Sequence, residues 1–439
     1  MEKSGNLLIL ADDLTGALDT GVQFAKGTDV VVYLSLDDAV QSLRENTNPR
    51  AVVRVINTET RHTSPEEARK IVTAAVNAFR DCTHFYKKTD SCLRGNIGAE
   101  LEALMEATGC SLLPFVPAYP TLKRTTRSGY QYLDGVLIHQ SPMALDPLNP
   151  VTDSFIPAII GKQSKTPVRL VGTDLAGTEH LRGTDPTGTD LILVFDGETP
   201  AHLEAAARTL RERGLLRVSA GCAGFAEALM EALPFANRTE GGNAFAPGEK
   251  LPILVVSGSL NPVSVAQVES AREKNIPCFG VAEGDLLAEG WFGSEKERSL
   301  AAECRRSLKA RGIAVLGTDL ALGKAAIGTD LLGINAIGKA AMGTDHSCQV
   351  ADGLGKITQS IVNETRHLHL VVFGGDTLLG IMRTLGYKNL RPLKEVCPGV
   401  VLASTEGRNG WLVTKSGAFG ERGLISEIEG VFGINHEPK

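Results

Sequence analysis

Two adjacent acids, Asp12 and Asp13, end the apolar run in NLLILADDLTGALDTG (residues 6–21) and are followed at once by Thr15 and Gly16. Carboxylates at the carboxyl end of a buried strand lie where open α/β sheets keep their ligands, and they can take a proton from an alcohol. Two more polar clusters follow apolar runs in the same half of the chain. They are Asn57, Thr58, Glu59 and Arg61 of INTETRH, and Lys87, Lys88, Thr89, Asp90, Ser91, Arg94 and Asn96 of YKKTDSCLRGN. The cations Arg61, Lys87, Lys88 and Arg94 suit a small carboxylate or a transferred phosphoryl group, while Asp12, Asp13 or Asp90 suits a hydroxyl. The combination describes a site for a small polyhydroxy acid. The competing expectation is structural, because Asp, Ser and Thr also cap helices and charged clusters also form internal salt bridges.

The second half of the chain carries a different chemistry. In VVSGSLNPVSVAQ (residues 255–267) a strand gives way through Ser257, Gly258 and Ser259 to a helix, whose first N–H groups suit an anion. VVFGGDTLLG (residues 371–380) repeats the arrangement with Gly374, Gly375, Asp376 and Thr377, and TKSGAFGERG (residues 414–423) adds a third turn with Gly417 and Gly420. Glycines let phosphate oxygens approach the main chain, so these turns read as a nucleotide cradle, with Asp376 placed to hold magnesium directly or through water. GINAIGKA (residues 333–340) nearly matches the phosphate-loop pattern, but Ala340 stands where the magnesium-binding hydroxyl belongs and no buried strand leads into it.

Elements that could hold these residues are legible as short apolar runs alternating with helical periodicity. LLILADD, VVVYLS, AVVRVINTETR, HFYKKTDS, SLLPFVPAYP, LILVFDGET, ILVVSGS, LHLVVFGGDT, GVVLASTEG and WLVTKSG read as strands, and EEARKIVTAAVNAFRD, HLEAAARTLRERG and VSVAQVESAREKN as helices, with Gly214 a stop. Such alternation predicts α/β architecture with mostly parallel sheets flanked by helices. At 439 residues the chain exceeds what one core usually serves, and the Gly- and Pro-rich stretch 236–250 reads as a linker between domains at 1–235 and 251–439. The tripeptide Gly-Thr-Asp at 172, 183, 188, 317, 328 and 343 is too irregular for a repeat architecture and is expected in surface loops.

A net charge of −6 gives no general attraction to nucleic acid, and no apolar stretch is long enough to cross a bilayer. No nucleic-acid or membrane partner is therefore expected. The first residues lack the charged-then-apolar pattern of an export signal, so a cytoplasmic location is expected. The eight cysteines are scattered without metal-ligand spacing and read as reduced thiols.

The chain resembles the four-carbon acid sugar kinases. The resemblance rests on ADDLTGALDTG (11–21), KKTDSCLRGN (87–96), PAYP with RTTRSGYQ (117–131), DPLNPVTDS (146–154), SGSLNPVSVAQ (257–267), FGGDT (373–377), PGV (398–400) and TKSGAFG (414–420). It implies an N-terminal domain for the sugar acid, a C-terminal domain for ATP with Mg2+, and phosphoryl transfer in the cleft between them. Asp12, Asp13, Arg61, Lys88, Asp90 and Arg94 fall on the family's acid-sugar site. Ser257, Ser259, Gly374, Gly375, Asp376, Thr377, Gly417 and Gly420 fall on its nucleotide segments. Cys92, where Ser or Thr is expected, and Phe373, where a small or hydroxyl residue is common, depart from the pattern.

Asp13 or Asp90 is the expected base, with Asp12 a substrate-hydroxyl ligand or an anchor of the helix start. The rival expectation is a non-catalytic protein that binds a nucleotide and a small carboxylate without transfer. A dehydrogenase is disfavoured because no G-x-G-x-x-G follows a strand. A homo-oligomer is compatible with the sequence, which leaves the four-carbon acid and its stereochemistry open.

Overall fold

The computed structural model describes residues 5–146, 149–178, 190–235, 250–323, 331–365, 367–407 and 410–433, with the side chains of 331–345 excepted. The chain divides into two compact units, Met1–Gly242 and Asn243–Lys439. Of the stretch expected as a linker, residues 236–249 lie outside the described ones.

The first unit opens with β1 (Leu7–Ala11), β2 (Val30–Tyr33), β3 (Val53–Asn57), β4 (His84–Lys88) and β5 (Leu112–Val116). A small antiparallel sheet follows, made of β6 (Arg124–Arg127), β7 (Tyr130–Leu133) and β8 (Val136–Leu137), and then β9 (Val168–Val171), β10 (Leu191–Phe195) and β11 (Val218–Gly221). The main sheet runs β2-β3-β1-β4-β11-β5-β10-β9 with every pairing parallel. Its helices are α1 (Leu14–Ala25), α2 (Leu36–Glu45), α3 (Pro65–Ala78), α4 (Ile97–Thr108), α5 (Ile156–Gly161), α6 (Pro200–Glu212) and α7 (Ala223–Ala232). All five residues of β1 are buried, as a strand covered by helices on both faces requires. Asp13, Ser35, Ser64 and Thr199 cap α1, α2, α3 and α6 through their side chains, which fixes where these helices begin.

The second unit comprises β12 (Ile253–Ser257), β13 (Cys278–Val281), β14 (Ile313–Thr318), β15 (His369–Phe373), β16 (Asn389–Cys397), β17 (Val400–Ser404) and β18 (Leu412–Lys415). Its helices are α8 (Pro262–Glu273), α9 (Glu283–Leu287), α10 (Glu295–Arg311), α11 (Leu331–Glu364), α12 (Gly375–Thr384) and α13 (Leu424–Val431). The strand order is β13-β14-β12-β15-β18-β17-β16; the pairings from β13 through β18 are parallel, and β17 runs antiparallel to both neighbours. The GVVLASTEG run is thus a strand of opposite sense to the rest. Both units share one opening plan, in which the first strand is flanked on one side by the third and on the other by the fourth. A chain that moves outward and then crosses to the other side of its first strand leaves a crevice at that strand's carboxyl end.

One expectation is corrected, and the rejection of a phosphate loop at 333–340 stands. Gly317 and Thr318 close the buried strand β14 and residues 343–345 lie within α11, so these copies of the tripeptide are not surface loops; Gly172–Asp174 does sit in a turn, and the copies at 183, 188 and 328 fall outside the described residues. Residues 333–340, which nearly match a phosphate loop, are a continuous part of α11 and form no loop.

A fully buried ion pair lies under the first sheet. Lys87 Nζ stands 3.1 Å from Glu100 Oε1, and the Thr60 hydroxyl also donates to that carboxylate. Removing one partner of such a pair leaves an uncompensated buried charge, whereas replacing both is nearly neutral. Glu100→Leu is expected to cost about 3–5 kcal/mol in urea denaturation. The double variant Lys87→Met, Glu100→Leu is expected to recover most of that loss.

Candidate functional site

Parallel pairing sets Ala11 opposite both Asn57 and Lys88, so the ends of β3, β1 and β4 finish level with one another. The residues that follow them form one cluster. Arg61 is its centre: Nε donates to Asp12 Oδ2 at 2.7 Å, NH1 donates to Asp13 Oδ2 at 3.0 Å, and NH2 lies 2.8 Å from Asp13 Oδ1 and 3.6 Å from Asp90 Oδ1. Lys88 Nζ stands farther off, 3.6 Å from Asp12 Oδ1 and 3.5 Å from Asp13 Oδ1. Arg94 forks onto Asp90 through Nε at 2.8 Å and NH2 at 3.0 Å, and its NH1 donates to Asp146 at 2.9 Å.

Local structure explains these placements. Asp13 caps α1 by accepting from the Gly16 amide at 3.0 Å and from the Thr15 hydroxyl at 2.7 Å, so it is both a cap and a member of the cluster. A Cβ on Gly16 would lie 1.9 Å from Lys88 Nζ and 2.4 Å from Asp13 Oδ1; the glycine is the space that the lysine head occupies. Arg61 rides on a single helical turn (Thr60–His62) whose carbonyls at Thr60 and Thr63 accept from Asn96 Nδ2 at 2.7 and 2.9 Å. Glu59 and Leu93, with φ of 52° and 62°, bracket that turn and the Arg94 turn in a conformation that side-chain-bearing residues seldom adopt. Asn57 and Thr58 tie backbone: Asn57 Nδ2 donates to Leu34 O at 3.1 Å and Thr58 Oγ1 to Ala11 O at 2.8 Å.

The electrostatics follow from this packing. Burial pushes the Asp13 carboxyl up, but Arg61 and Lys88 with the Thr15 hydroxyl outweigh it and hold Asp13 below the usual carboxylate range. Burial likewise opposes Arg94, Arg61 and Lys88 at Asp90, and the cations again win. Both acids are therefore ionised at neutral pH.

Of the residues expected to clamp a ligand, Lys87 does not join the cluster. Neighbouring strand residues face opposite sides of a sheet, and Lys87 turns under the sheet to Glu100 while Lys88 faces the acids. The cations that do converge already hold protein carboxylates. Glu100 and Asp146 were not among the expected site residues. The signal for Glu100 is an acid on the apolar stripe formed by Ile97, Leu101 and Leu104, all buried as it is. Cys92 packs with Ile138 and Val151 in a small apolar cluster.

In the second unit, register sets Ser257 opposite Phe373 and Phe373 opposite Lys415, so the three glycine turns leave adjacent strands at one level. Ser259 Oγ accepts from the Asn261 amide at 3.3 Å, and Asn261 caps α8. Gly374, at φ 109°, begins α12 without any side-chain cap, leaving that helix start to other acceptors. Asp376 is exposed on the first turn and its carboxylate accepts from Ser347 at 3.2 Å, while Thr377 is buried. Ser257 Oγ is buried and makes no hydrogen bond among the described residues. Gly417 and Gly420 lie in the turn after β18, beside the buried Lys415, whose ammonium is pushed down to about 7 by burial while Cys397 acts in the opposite sense. Phe373 is the floor under that ammonium, 4.5 Å from ring centre to Nζ. No group of three or more His, Cys, Asp or Glu side chains with metal-binding geometry occurs among the described residues.

Comparison with known proteins places both halves. A model described as a sugar-binding N-terminal domain matches residues 7–229, more than half of the chain, and one described as a nucleotide-binding C-terminal domain matches residues 254–425. The chain belongs to the four-carbon acid sugar kinase family. Family relatives include a D-threonate kinase of Salmonella typhimurium, 29% identical over 96% of this chain and 97% of that one. A D-erythronate kinase of Heliobacterium modesticaldum is 29% identical over 90% and 88%, and a 3-oxo-tetronate kinase of Pseudomonas fluorescens is 28% identical over 96% and 96%. The fold is shared with a solved structure from Salmonella typhimurium LT2, with a TM-score of 0.75 at 22% identity over 97% of this chain and 98% of that one. A Haemophilus influenzae protein gives 0.68 at 23% over 97% and 100%.

Two outcomes are expected from the first half-site. Gly16→Ala should displace the Lys88 head and lower kcat/KM by about 10²-fold, the cost of an ångström-scale misplacement, with the melting temperature little changed. Asp13 has a folded pKa below its unfolded value, so its ionised form stabilises the fold above pH 4 or so, and that contribution is lost as pH falls through the folded pKa. Asp13→Asn should therefore melt below the wild type at pH 7, with the gap narrowing as thermal scans are taken from pH 5 to pH 3.

Proposed function

We propose that the protein is an ATP-dependent kinase that phosphorylates a terminal hydroxyl of a four-carbon sugar acid of the threonate, erythronate or 3-oxo-tetronate class. The observation that carries this reading is near-full-length similarity to relatives named D-threonate, D-erythronate and 3-oxo-tetronate kinases. Residue chemistry agrees with it: the first unit offers ionised carboxylates beside cations, and the second offers an uncapped helix start between two further glycine turns.

The acid sugar belongs to the cluster of the first unit. Asp12 Oδ1 makes no hydrogen bond among the described residues and suits a donating substrate hydroxyl. Lys88, held at the longest distances of the converging cations, is the one whose ammonium can turn to an incoming carboxylate or phosphoryl oxygen at least cost. Asp13 is the better base. Its side chain is 23% exposed against 9% for Asp90, which leaves it the more open to an incoming hydroxyl. Its low basicity is no obstacle, because phosphoryl transfer through a loose transition state depends mainly on positioning and charge neutralisation. Asp90 then acts by fixing Arg94.

ATP belongs to the second unit, its phosphates on the Ser257–Ser259 and Gly374–Thr377 turns and on the Gly417–Gly420 loop. Asp376 is the residue that would hold Mg2+, and one carboxylate with phosphate oxygens is an ordinary ligand set for that ion. Magnesium supplies neutralisation of phosphate charge. Transfer requires the γ-phosphoryl group carried by one unit to meet the hydroxyl held by the other.

A coupled assay of ADP release with a panel of four-carbon acids in each stereoisomer tests the reading. One of them should be turned over, and binding without turnover across the panel would leave a ligand sensor in place of a kinase. With the accepted substrate, Asp13→Ala should lose roughly 10²–10⁴-fold in kcat with ADP affinity retained. Asp90→Ala should raise the KM of the sugar acid. Unchanged kcat in Asp13→Ala would remove Asp13 from the role of base.

A further inference from the structure

Lys415 is a buried cation of the second unit for which the reaction described above has no use. It ends β18, is 1% exposed, and in its protonated form offers three N–H donors. Three acceptors meet them: Ser264 Oγ at 2.8 Å, Gly417 O at 3.0 Å and Phe419 O at 3.3 Å. The Phe373 ring closes the pocket from below. Gln267, fully buried on α8, continues the pattern, its Nε2 donating to Phe419 O at 3.0 Å, Gly420 O at 2.9 Å and Glu421 O at 3.0 Å. Two buried side chains thus draw the carbonyls of 417, 419, 420 and 421 to the inner side of one loop.

In a trans peptide the N–H points opposite to the preceding C=O, and the described residues contain no cis peptide. Drawing those carbonyls inward therefore turns the amides of Ala418, Gly420, Glu421 and Arg422 outward. Successive outward amides make an anion-binding concavity. The loop also lies close against the first glycine turn, since a Cβ on Gly417 would stand 2.6 Å from Ser259 Oγ.

We propose that Lys415, assisted by Gln267, is a positioning residue for the nucleotide: it holds the 416–421 loop with its carbonyls buried and its amides presented to the phosphates of ATP. The proposal rests on the kinase reading above, which places nucleotide at these turns. A compact ammonium is the group that fits, because a planar guanidinium cannot serve three acceptors converging on a point.

The test measures ADP affinity by isothermal titration calorimetry and steady-state kinetics on the full chain. Lys415→Met keeps the apolar stem over Phe373 and removes the donors; it is expected to weaken ADP binding and raise the KM for ATP by about tenfold or more, leaving the KM for the sugar acid in place. Gln267→Met should shift the same two quantities in the same direction, and it decides the matter if Lys415→Met fails to fold. Unchanged ADP affinity in a folded variant would overturn the proposal, as would an equal rise in the KM of both substrates, the mark of general loosening. A wild-type protein that binds no ADP would instead sink the kinase reading itself.

Discussion

The charged cluster at the end of β1 can exist only because Arg61 is there. Asp12, Asp13 and Asp90 lie close together, and at Asp13 and Asp90 burial alone would drive the protons back on. A guanidinium reaching all three, with Lys88 and Arg94 beside it, reverses that tendency at Asp13 and Asp90. Much of the surrounding architecture serves to keep Arg61 in position. The left-handed Glu59 starts its turn, Asn96 holds the turn's carbonyls, and beneath it Thr60 donates to Glu100, which is itself paired with Lys87. The stack runs from the helix interior to the reacting face without an interruption in polar contact.

The second unit solves a different problem with the same strand plan. Its first strand also sits between the third and fourth, but the crevice is lined by main chain in place of charge. Glycine turns offer amides, and the buried Lys415 faces away from solvent into carbonyls. A triphosphate needs many donors and few fixed positive charges if it is to leave again as the diphosphate. A polyhydroxy acid needs acceptors for its hydroxyls. The contrast between the two crevices is the one the proposed pair of ligands calls for.

Much of this was legible in the residues. Each apolar run singled out in the sequence became a strand, and the polar residues that followed them fell at one edge because parallel strands end level. What escaped was whatever lacks a local period. β11 (VSAG) and β13 (CFGV) are short and small, and β14 runs into the Gly-Thr-Asp copy at 317. Lys87 and Lys88 were grouped as one cationic clamp although alternation along a strand must separate them. Glu100 lies in a segment not singled out as a helix and Asp146 in one read only for family likeness, and their partners are distant in sequence: 40 residues from Thr60 to Glu100 and 52 from Arg94 to Asp146. Pairings of that kind are set by the fold and leave no spacing to read.

The saturation of Arg61, Lys88 and Arg94 by protein carboxylates bears on how the enzyme spends its binding energy. A sugar acid entering this crevice trades one set of ionic partners for another instead of filling an electrostatic void, so the net attraction is the small difference between two large terms. On the proposed assignment, the departure of a ligand restores the resting pairs of Arg61, Lys88 and Arg94 with Asp12, Asp13, Asp90 and Asp146, so the protein's own acids stand in for the guest between turnovers.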